Sequence, residues 1–311
     1  MTGHTQTPTQ IAACGKYTPH SQGPAPAGSP ACISCGHGRW EPLFACLQQC
    51  ARCGFVRADL ELGPDEIAAL YGEKYFRGDE YGDYLAESDV HRRNFVRRVD
   101  EITAVAGRLE SVFEVGCAYG LFLDCLAARG IRCAGSDVCQ AAVDYARREL
   151  CQQAASGDFL AMPIAPGEYH AFCMWDTIEH LMRPEQFVQR IYDLLPSGGW
   201  FFATTGDIGS RLARRRGRHW RMIHPPTHLQ YFSAATMRQF LARFGFEVQS
   251  IRSVAYYRNL RSILTNMQVL SRGPLRLAAR IGGRVIPEKI QRRAGISLDL
   301  GDIMLVCARK P

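Results

Sequence analysis

The chain has 311 residues, 47% of them hydrophobic and 22% charged, a balance that suits a folded globular protein and excludes a disordered one. No apolar run approaches the roughly 18 residues of a membrane span, and no apolar core follows a positive start at the N-terminus, so the cytoplasm is the expected compartment. The net charge of +7 is uneven: Arg211, Arg214, Arg215, Arg216, Arg218 and Arg221 crowd one acid-free segment, and residues 255–300 carry nine basic residues against Glu288 and Asp299. Such a surface either attracts an anion, whether a small acceptor, a phospholipid surface or RNA, or is simply a solvated basic face.

Residues 1–30 are rich in Thr, Pro, Gly, Gln and Ala and poor in large apolar side chains. They cannot bury enough surface to offset their ordering entropy, and a disordered tail containing Cys14 is expected. Residues 31–57 hold Cys32-x-x-Cys35, fourteen intervening residues, then Cys50-x-x-Cys53, each pair followed by a glycine, Gly36 or Gly54. Two such knuckles supply four thiolates to one structural zinc, in a segment too short to build its own apolar core. Cys46 is then a surplus thiol and His37 a weaker ligand candidate. Cys117, Cys125, Cys133 and Cys173 fall in segments that read as core, where a free thiol behaves as a small hydrophobe. One metal site in a reducing compartment fits this usage.

Residues 58–106 read as a helical linker or cap. Pro64 suits a first turn, with Ile67, Leu70 and Tyr71 at helical spacing. A tyrosine-rich stretch (Tyr75, Phe76, Tyr81, Tyr84) leads to a second helix with Phe95, Val96, Val99 and Ile102 expected on one face. From residue 107 strands and helices alternate, the sign of a parallel sheet. Strands are expected over 111–115, 131–136, 153–157, 169–175 and 200–205, and helices over 121–128, 141–150 and from Pro184. Ser233 is a good N-cap for a helix that ends before Gly245. Strands over 247–253 and 302–308 follow, separated by the basic insertion at about 255–300.

The segment Val112-Phe113-Glu114-Val115-Gly116-Cys117-Ala118-Tyr119-Gly120 is a strand, a glycine turn and a helix start. Glycine lets backbone approach a ligand, and the helix start offers free N–H groups. Asp137 ends the next strand, placed to accept hydrogen bonds from ribose hydroxyls. The dinucleotide fingerprint G-x-G-x-x-G is absent, and Glu114 would repel a pyrophosphate while suiting a cationic ligand. Acids at the ends of buried strands are costly unless something binds them.

In order, E-x-G-x-x-x-G, Asp137, Gly157-Asp158-Phe159, Trp175-Asp176-Thr177-Ile178-Glu179-His180-Leu181 and Leu195-Pro196-Ser197-Gly198-Gly199 resemble a class I S-adenosylmethionine-dependent methyltransferase across residues 106–206. The resemblance implies an α/β, Rossmann-like sheet of seven strands, the last antiparallel, within a domain at 107–311. It places Glu114, Gly116, Ala118 and Gly120 at the methionine end of S-adenosylmethionine, Asp137 at the ribose and Asp158 with Phe159 at the adenine. Trp175 and Asp176 would lie beside the methyl group, with Tyr119 and Val138 completing the cofactor set. Ala118 departs from the family's second glycine. The cysteine layout, followed by Leu70-Tyr71 and Tyr75-Phe76, and the run His228-Leu229-Gln230-Tyr231-Phe232-Ser233 are similar to bacterial methyltransferases with an N-terminal zinc segment. Some of those act on sugars, nucleotide-linked sugars or secondary metabolites.

Methyl transfer to a hydroxyl, amine or enolisable carbon also needs a base. His180, just past a strand end, and His228 are the two candidates, each with a structural role as the alternative. Tyr75, Tyr81 and Tyr119 are candidates for cation–π contact with the sulfonium, or for plain packing. An RNA methyltransferase is a second reading, weakened because Trp220 is the lone aromatic among the clustered arginines and no Asn/Asp-Pro-Pro-Tyr motif follows the fourth strand. A binding module on a cofactor-dead scaffold is a third, opposed by intact Glu114, Gly116, Gly120 and Asp137.

Overall fold

The computed structural model describes residues 30–44, 46–60, 62, 63, 66, 70, 84–270 and 273–311. The expected tail, and the readings at Pro64, Ile67, Tyr71, Tyr75, Phe76 and Tyr81, lie outside the described residues.

The main sheet is built from strands with both faces covered, which is why they read as nearly continuous apolar runs. In β4 (Ser111–Val115) and β7 (Ala171–Trp175) every residue is buried. Successive side chains point to opposite faces. Phe113, Phe172 and Phe201 therefore enter one core with Val188 and Ile191, while Val112, Cys173 and Phe202 enter the other with Phe122 and Leu126. β5 (Arg132–Asp137), β6 (Ala154–Ser156), β8 (Trp200–Gly206), β10 (Glu247–Ser253) and β13 (Ile303–Arg309) complete seven strands in the order β10-β13-β8-β7-β4-β5-β6. β13 runs antiparallel to both β8 and β10, whereas β4, β5, β6, β7 and β8 pair in parallel.

Helix α1 (Ser88–Ala106) precedes the sheet, and α2 (Leu121–Ala127), α3 (Gln140–Arg148) and α4 (Pro184–Leu194) cross between strands. The strands over 111–115 and 247–253 match the pattern read from sequence; elsewhere ends move by one or two residues, as fraying termini do. One helix-face assignment is corrected. Val99 and Ile102 are buried in α1 with Val90, but Val96 is 40% exposed, because it lies a quarter turn away from Phe95 and off the buried stripe.

The cysteine segment is not an independent bead. β1 (Trp40–Phe44), β2 (Leu47–Cys50) and β3 (Val56–Ala58) form an antiparallel sheet whose fourth strand is β9 (Gln230–Tyr231), contributed from beyond α5 (Arg211–Arg216). Cys32, Trp40, Cys50 and Phe55 join the main core beside Phe232 and Phe240. Arg243, just past α6 (Ala234–Ala242), donates to the carbonyls of Cys32 and Ile33 at 3.0 and 2.5 Å, and Ser34 Oγ donates to Thr236 O at 2.9 Å. A segment this short borrows its core from the neighbouring domain.

The basic insertion consists of β11 (Tyr256–Asn259), α7 (Leu260–Leu270), α8 (Pro274–Val285), α9 (Glu288–Arg293) and β12 (Gly295–Leu298), with β11 and β12 paired antiparallel. Asn94 fastens it to α1: its amide donates to Tyr257 O at 3.2 Å and its Oδ1 accepts from Tyr257 N at 2.7 Å. No helix among the described residues is long and apolar enough to cross a membrane.

The shared core predicts that Phe55→Ala destabilises the whole domain, not the cysteine segment alone. Phe55 is 1% exposed and its ring lies 4.9 Å from that of Phe232. Denaturant unfolding should give one transition with about 3–5 kcal/mol less stability; two separate transitions would show that the modules are uncoupled.

Candidate functional site

The turn after β4 is held in an unusual backbone conformation. Gly116 and Gly120 have φ of 80° and 74°, values open to glycine at no steric cost. A Cβ at Gly116 would come within 2.7 Å of the Thr177 side chain, and one at Gly120 within 2.8 Å of Ala146 Cβ. These glycines therefore permit close packing of the turn against the β7 end and α3. Ala118 also sits at positive φ, 45°, where a methyl group is strained. Its N–H donates to Asp137 Oδ2 at 2.8 Å, and that charge-assisted bond offsets the strain.

Two carboxylates flank this turn on neighbouring strands. Val115 pairs with Ser136 across the β4–β5 ladder, so Asp137 stands opposite Gly116. Glu114 is 2% exposed, and its Oε2 has no hydrogen-bond partner among the described residues. Burial, and then the nearby Asp137 charge, push its carboxyl well above the ordinary range. Asp137 is raised by burial, against which the N–H groups of Cys139, Ala118 and Val138 hold it down. Its Oδ1 accepts from Cys139 N at 2.9 Å. A carboxylate has about four lone-pair sites on its two oxygens, which leaves room for a further donor beside these N–H groups.

The other expected cofactor residues divide by environment. Val138 is exposed to 58% directly after Asp137, an apolar surface beside the carboxylate. Asp158 accepts from Leu160 N at 2.9 Å and caps a short 3₁₀ turn. Phe159 is committed to the core, stacked on Phe187 at 5.7 Å and against Phe113 at 5.9 Å. Tyr119 is buried between Tyr84 and Tyr145 at 5.6 and 5.3 Å. Trp175 packs edge-on to Phe122, and its indole N–H is buried with no partner among the described residues. Asp176 has a φ of 49°, a strained conformation that persists only when its surroundings fix it. Here they do: Thr204 Oγ1 donates to Oδ1 at 2.9 Å and Tyr256 O–H to Oδ2 at 2.8 Å.

His180 and His228, forty-eight positions apart in the chain, come together with ring centroids at 4.7 Å and planes at 82°. Each Nδ1 faces a backbone carbonyl, Thr227 O at 2.8 Å for His180 and Met222 O at 2.9 Å for His228. A carbonyl only accepts, so both Nδ1 atoms carry hydrogen. Burial, then the adjacent His180 and His224, hold His228 well below the ordinary imidazole range. The buried Glu179 completes a group with these two rings whose potential ligand atoms lie within 4.8 Å of one another.

Cys32, Cys35, Cys50 and Cys53 form a second such group. Sγ separations are 3.6 Å for Cys32–Cys53 and 3.5 Å for Cys35–Cys50. Those are far beyond a disulfide bond of about 2.05 Å and close to the roughly 3.8 Å between sulfurs around a tetrahedral zinc. The two knuckles repeat each other: Gly36 and Gly54 share a φ of 77°, and their N–H groups donate to Cys32 O and Cys50 O. Cys46 is disulfide-bonded, which corrects its reading as a surplus thiol; sequence spacing alone does not reveal which cysteines pair.

Sequence reasoning overlooked Tyr256, Thr204 and Glu179. The first two hold Asp176 from other segments and left no local signal. Glu179 lay in plain view within the strand-end motif, and its neighbour His180 was the clue.

The buried carboxylate yields a prediction for the ligand-free protein. Because Glu114 ionises higher in the folded than in the unfolded state, its contribution is favourable at low pH and lost as pH rises through the folded value. Glu114→Gln should therefore raise Tm near neutral pH, with the gain vanishing as pH falls towards the ordinary carboxyl value of about 4.5. A lower Tm across that range would show the ionised carboxylate to be satisfied.

Comparison with known proteins bears on this geometry. The family described as "Methyltransferase domain" matches residues 86–251, more than half of the chain. A protein of Mycolicibacterium smegmatis named as an S-adenosylmethionine-dependent methyltransferase is 28% identical over 60% of this chain and 65% of its own. A Chromobacterium violaceum protein named ubiquinone biosynthesis O-methyltransferase is 26% identical over 47% of this chain and 62% of its own. The chain thus spans less than two thirds of the length of either relative. An Archaeoglobus fulgidus SAM-dependent methyltransferase structure has a TM-score of 0.48 and 16% identity, over 73% of this chain and 99% of that one. On the family match, which spans the turn, both carboxylates and the paired histidines, this chain belongs to the methyltransferase domain family.

Proposed function

We propose that the protein transfers a methyl group from S-adenosylmethionine to a small-molecule acceptor. The observation that carries this reading is the buried pair Glu114 and Asp137, placed on adjacent strand ends around one glycine turn. S-adenosylmethionine supplies a positively charged methylsulfonium and a cationic amino group. Glu114, whose Oε2 lacks a hydrogen-bond donor among the described residues, fits that cationic end. Asp137, with lone pairs to spare, fits the ribose diol, and Val138 offers the adenine an apolar surface. Asp176 and Trp175, at the end of β7, fit the methyl side.

Displacement at the methyl carbon needs the acceptor held in line, which is catalysis by orientation. A hydroxyl acceptor must also lose its proton, and the paired imidazoles of His180 and His228 suit that task. The relatives named as O-methyltransferases favour an oxygen acceptor. The basic insertion and the arginines of α5 favour an anionic one, such as a nucleotide-linked sugar or a related metabolite. In the cysteine group, four thiolates suit zinc, and because they fill its tetrahedral shell the metal would be structural.

Titration calorimetry with S-adenosylmethionine should show micromolar binding that Asp137→Ala weakens about tenfold or more, as loss of a charge-assisted bond to a diol requires. No heat from the unaltered protein would sink the reading. Once an acceptor is found among labelled-methyl assays on nucleotide-linked sugars, His228→Asn should lower kcat by about 10²–10⁴ with cofactor affinity unchanged. Activity of the unaltered enzyme should also persist as pH falls past the ordinary histidine value of about 6.5, since His228 stays neutral there.

A further inference from the structure

Twelve large apolar side chains are exposed among the described residues, and eight of them lie between Leu275 and Leu300. Such concentration is unlike the scattered exposure normal for a soluble surface. Helix α8 shows its organisation. One face is packed on α7: Ala279 is 1% exposed, and a Cβ at Gly282 or Gly283 would come within 3.3 Å of Leu264 or 3.1 Å of Gln268. The opposite face carries Leu277, Ile281 and Val285, one above another at every fourth position and 59%, 52% and 73% exposed. One residue earlier at each step stand Arg276, Arg280 and Arg284, all exposed, which puts a guanidinium row about 100° round the helix from the apolar row. No acid occurs between residues 255 and 287, and Glu288, the first one, is already bonded to Arg261 and Arg292. Across α9, Lys289, Arg292 and Arg293 line a cleft of about 460 Å³ with Arg92, Arg93 and a single acid, Asp89.

We propose that this face of the insertion docks on the surface of an anionic phospholipid bilayer. An apolar row beside an arginine row, on a helix lying flat against its own domain, is the arrangement that enters the headgroup region. The apolar side chains reach the acyl boundary while the guanidinium groups stay with the phosphates. A second copy of this chain is a poor fit. A two-fold contact through α8 would bring arginine rows together on a helix that carries no carboxylate to neutralise them. A nucleic acid would use the arginines but leave the aliphatic row in water, since aliphatic side chains do not stack on bases. The helix has the apolar depth of a peripheral contact, and no helix of a membrane span is needed for it.

Sedimentation with vesicles of phosphatidylglycerol and phosphatidylcholine tests this without any methyl acceptor, so its outcome is separate from that of the transfer reaction. The unaltered protein should pellet with mixed vesicles, bind pure phosphatidylcholine at least about tenfold more weakly, and be released by salt. Leu277→Glu with Ile281→Glu should abolish pelleting while Tm stays unchanged, as both side chains are exposed. Arg276→Gln with Arg280→Gln and Arg284→Gln should weaken binding and flatten its salt dependence. Absence of pelleting, or equal pelleting by the glutamate variant, overturns the proposal. So does self-association in the ultracentrifuge that the glutamate variant dissolves without any vesicle binding, or RNA binding lost in the glutamine variant alone.

Discussion

Burying ionisable carboxylates at the edge of an apolar sheet is unfavourable, and the structure does it at the ends of two adjacent strands. Glu114 is the fourth of five consecutive buried positions, with its pKa driven up by desolvation and by its neighbour Asp137. Nothing in the packing of the sheet requires a carboxylate there; a valine would satisfy β4 better, given the cost of an unpaired buried charge. The surrounding geometry is consistent with that one constraint. The Gly116 turn stays clear of Thr177, Ala118 accepts backbone strain, and its N–H is spent on Asp137. Conformational cost is thus concentrated at the carboxyl end of the parallel strands, where open α/β sheets receive ligands.

The end of β7 extends the same economy to a third strand. Asp176 is strained and held by Thr204 from β8 and by Tyr256 from the insertion. Arg98, itself buried, lies 5.0 Å from the Tyr256 ring and pairs with Glu101. A shift of the insertion would therefore be felt at Asp176 through a single hydroxyl.

How much of this was legible in the sequence depends on the range of the interaction. The strand–turn–helix at residues 111–127, the Ser233 cap, and the paired cysteine knuckles are local patterns. They could be read because each is fixed by neighbours within a few positions. The carboxylate positions were legible too, since an acid closing an apolar run stands out. The meeting of His180 with His228 was not, nor was the support of Asp176 by Tyr256, because both depend on how distant loops settle on the sheet. Phe159 shows the converse limit. Its place in a motif suggested the site's edge, while its side chain packs on Phe113, Phe172 and Phe187. Motif position alone does not say which way an aromatic ring turns.

The cysteine segment reads from sequence as an appendage, but its hydrogen bonds make it part of the site's frame. Leu229 is the hinge of that relation. Its N–H donates to Glu179 O in the strand-end turn, and its carbonyl accepts from Ala58 N at the end of β3. The next residues, Gln230 and Tyr231, form the fourth strand of the ribbon sheet, and Gln230 Nε2 donates to Leu181 O. His228 is the residue immediately before Leu229, so its position is set from both sides at once. One side is the turn carrying Glu179 and His180; the other is a sheet whose far end is closed by the four cysteines. The cysteine group can therefore matter to the site without touching any ligand, because the strand at the other side of that sheet, β9, begins two residues after His228.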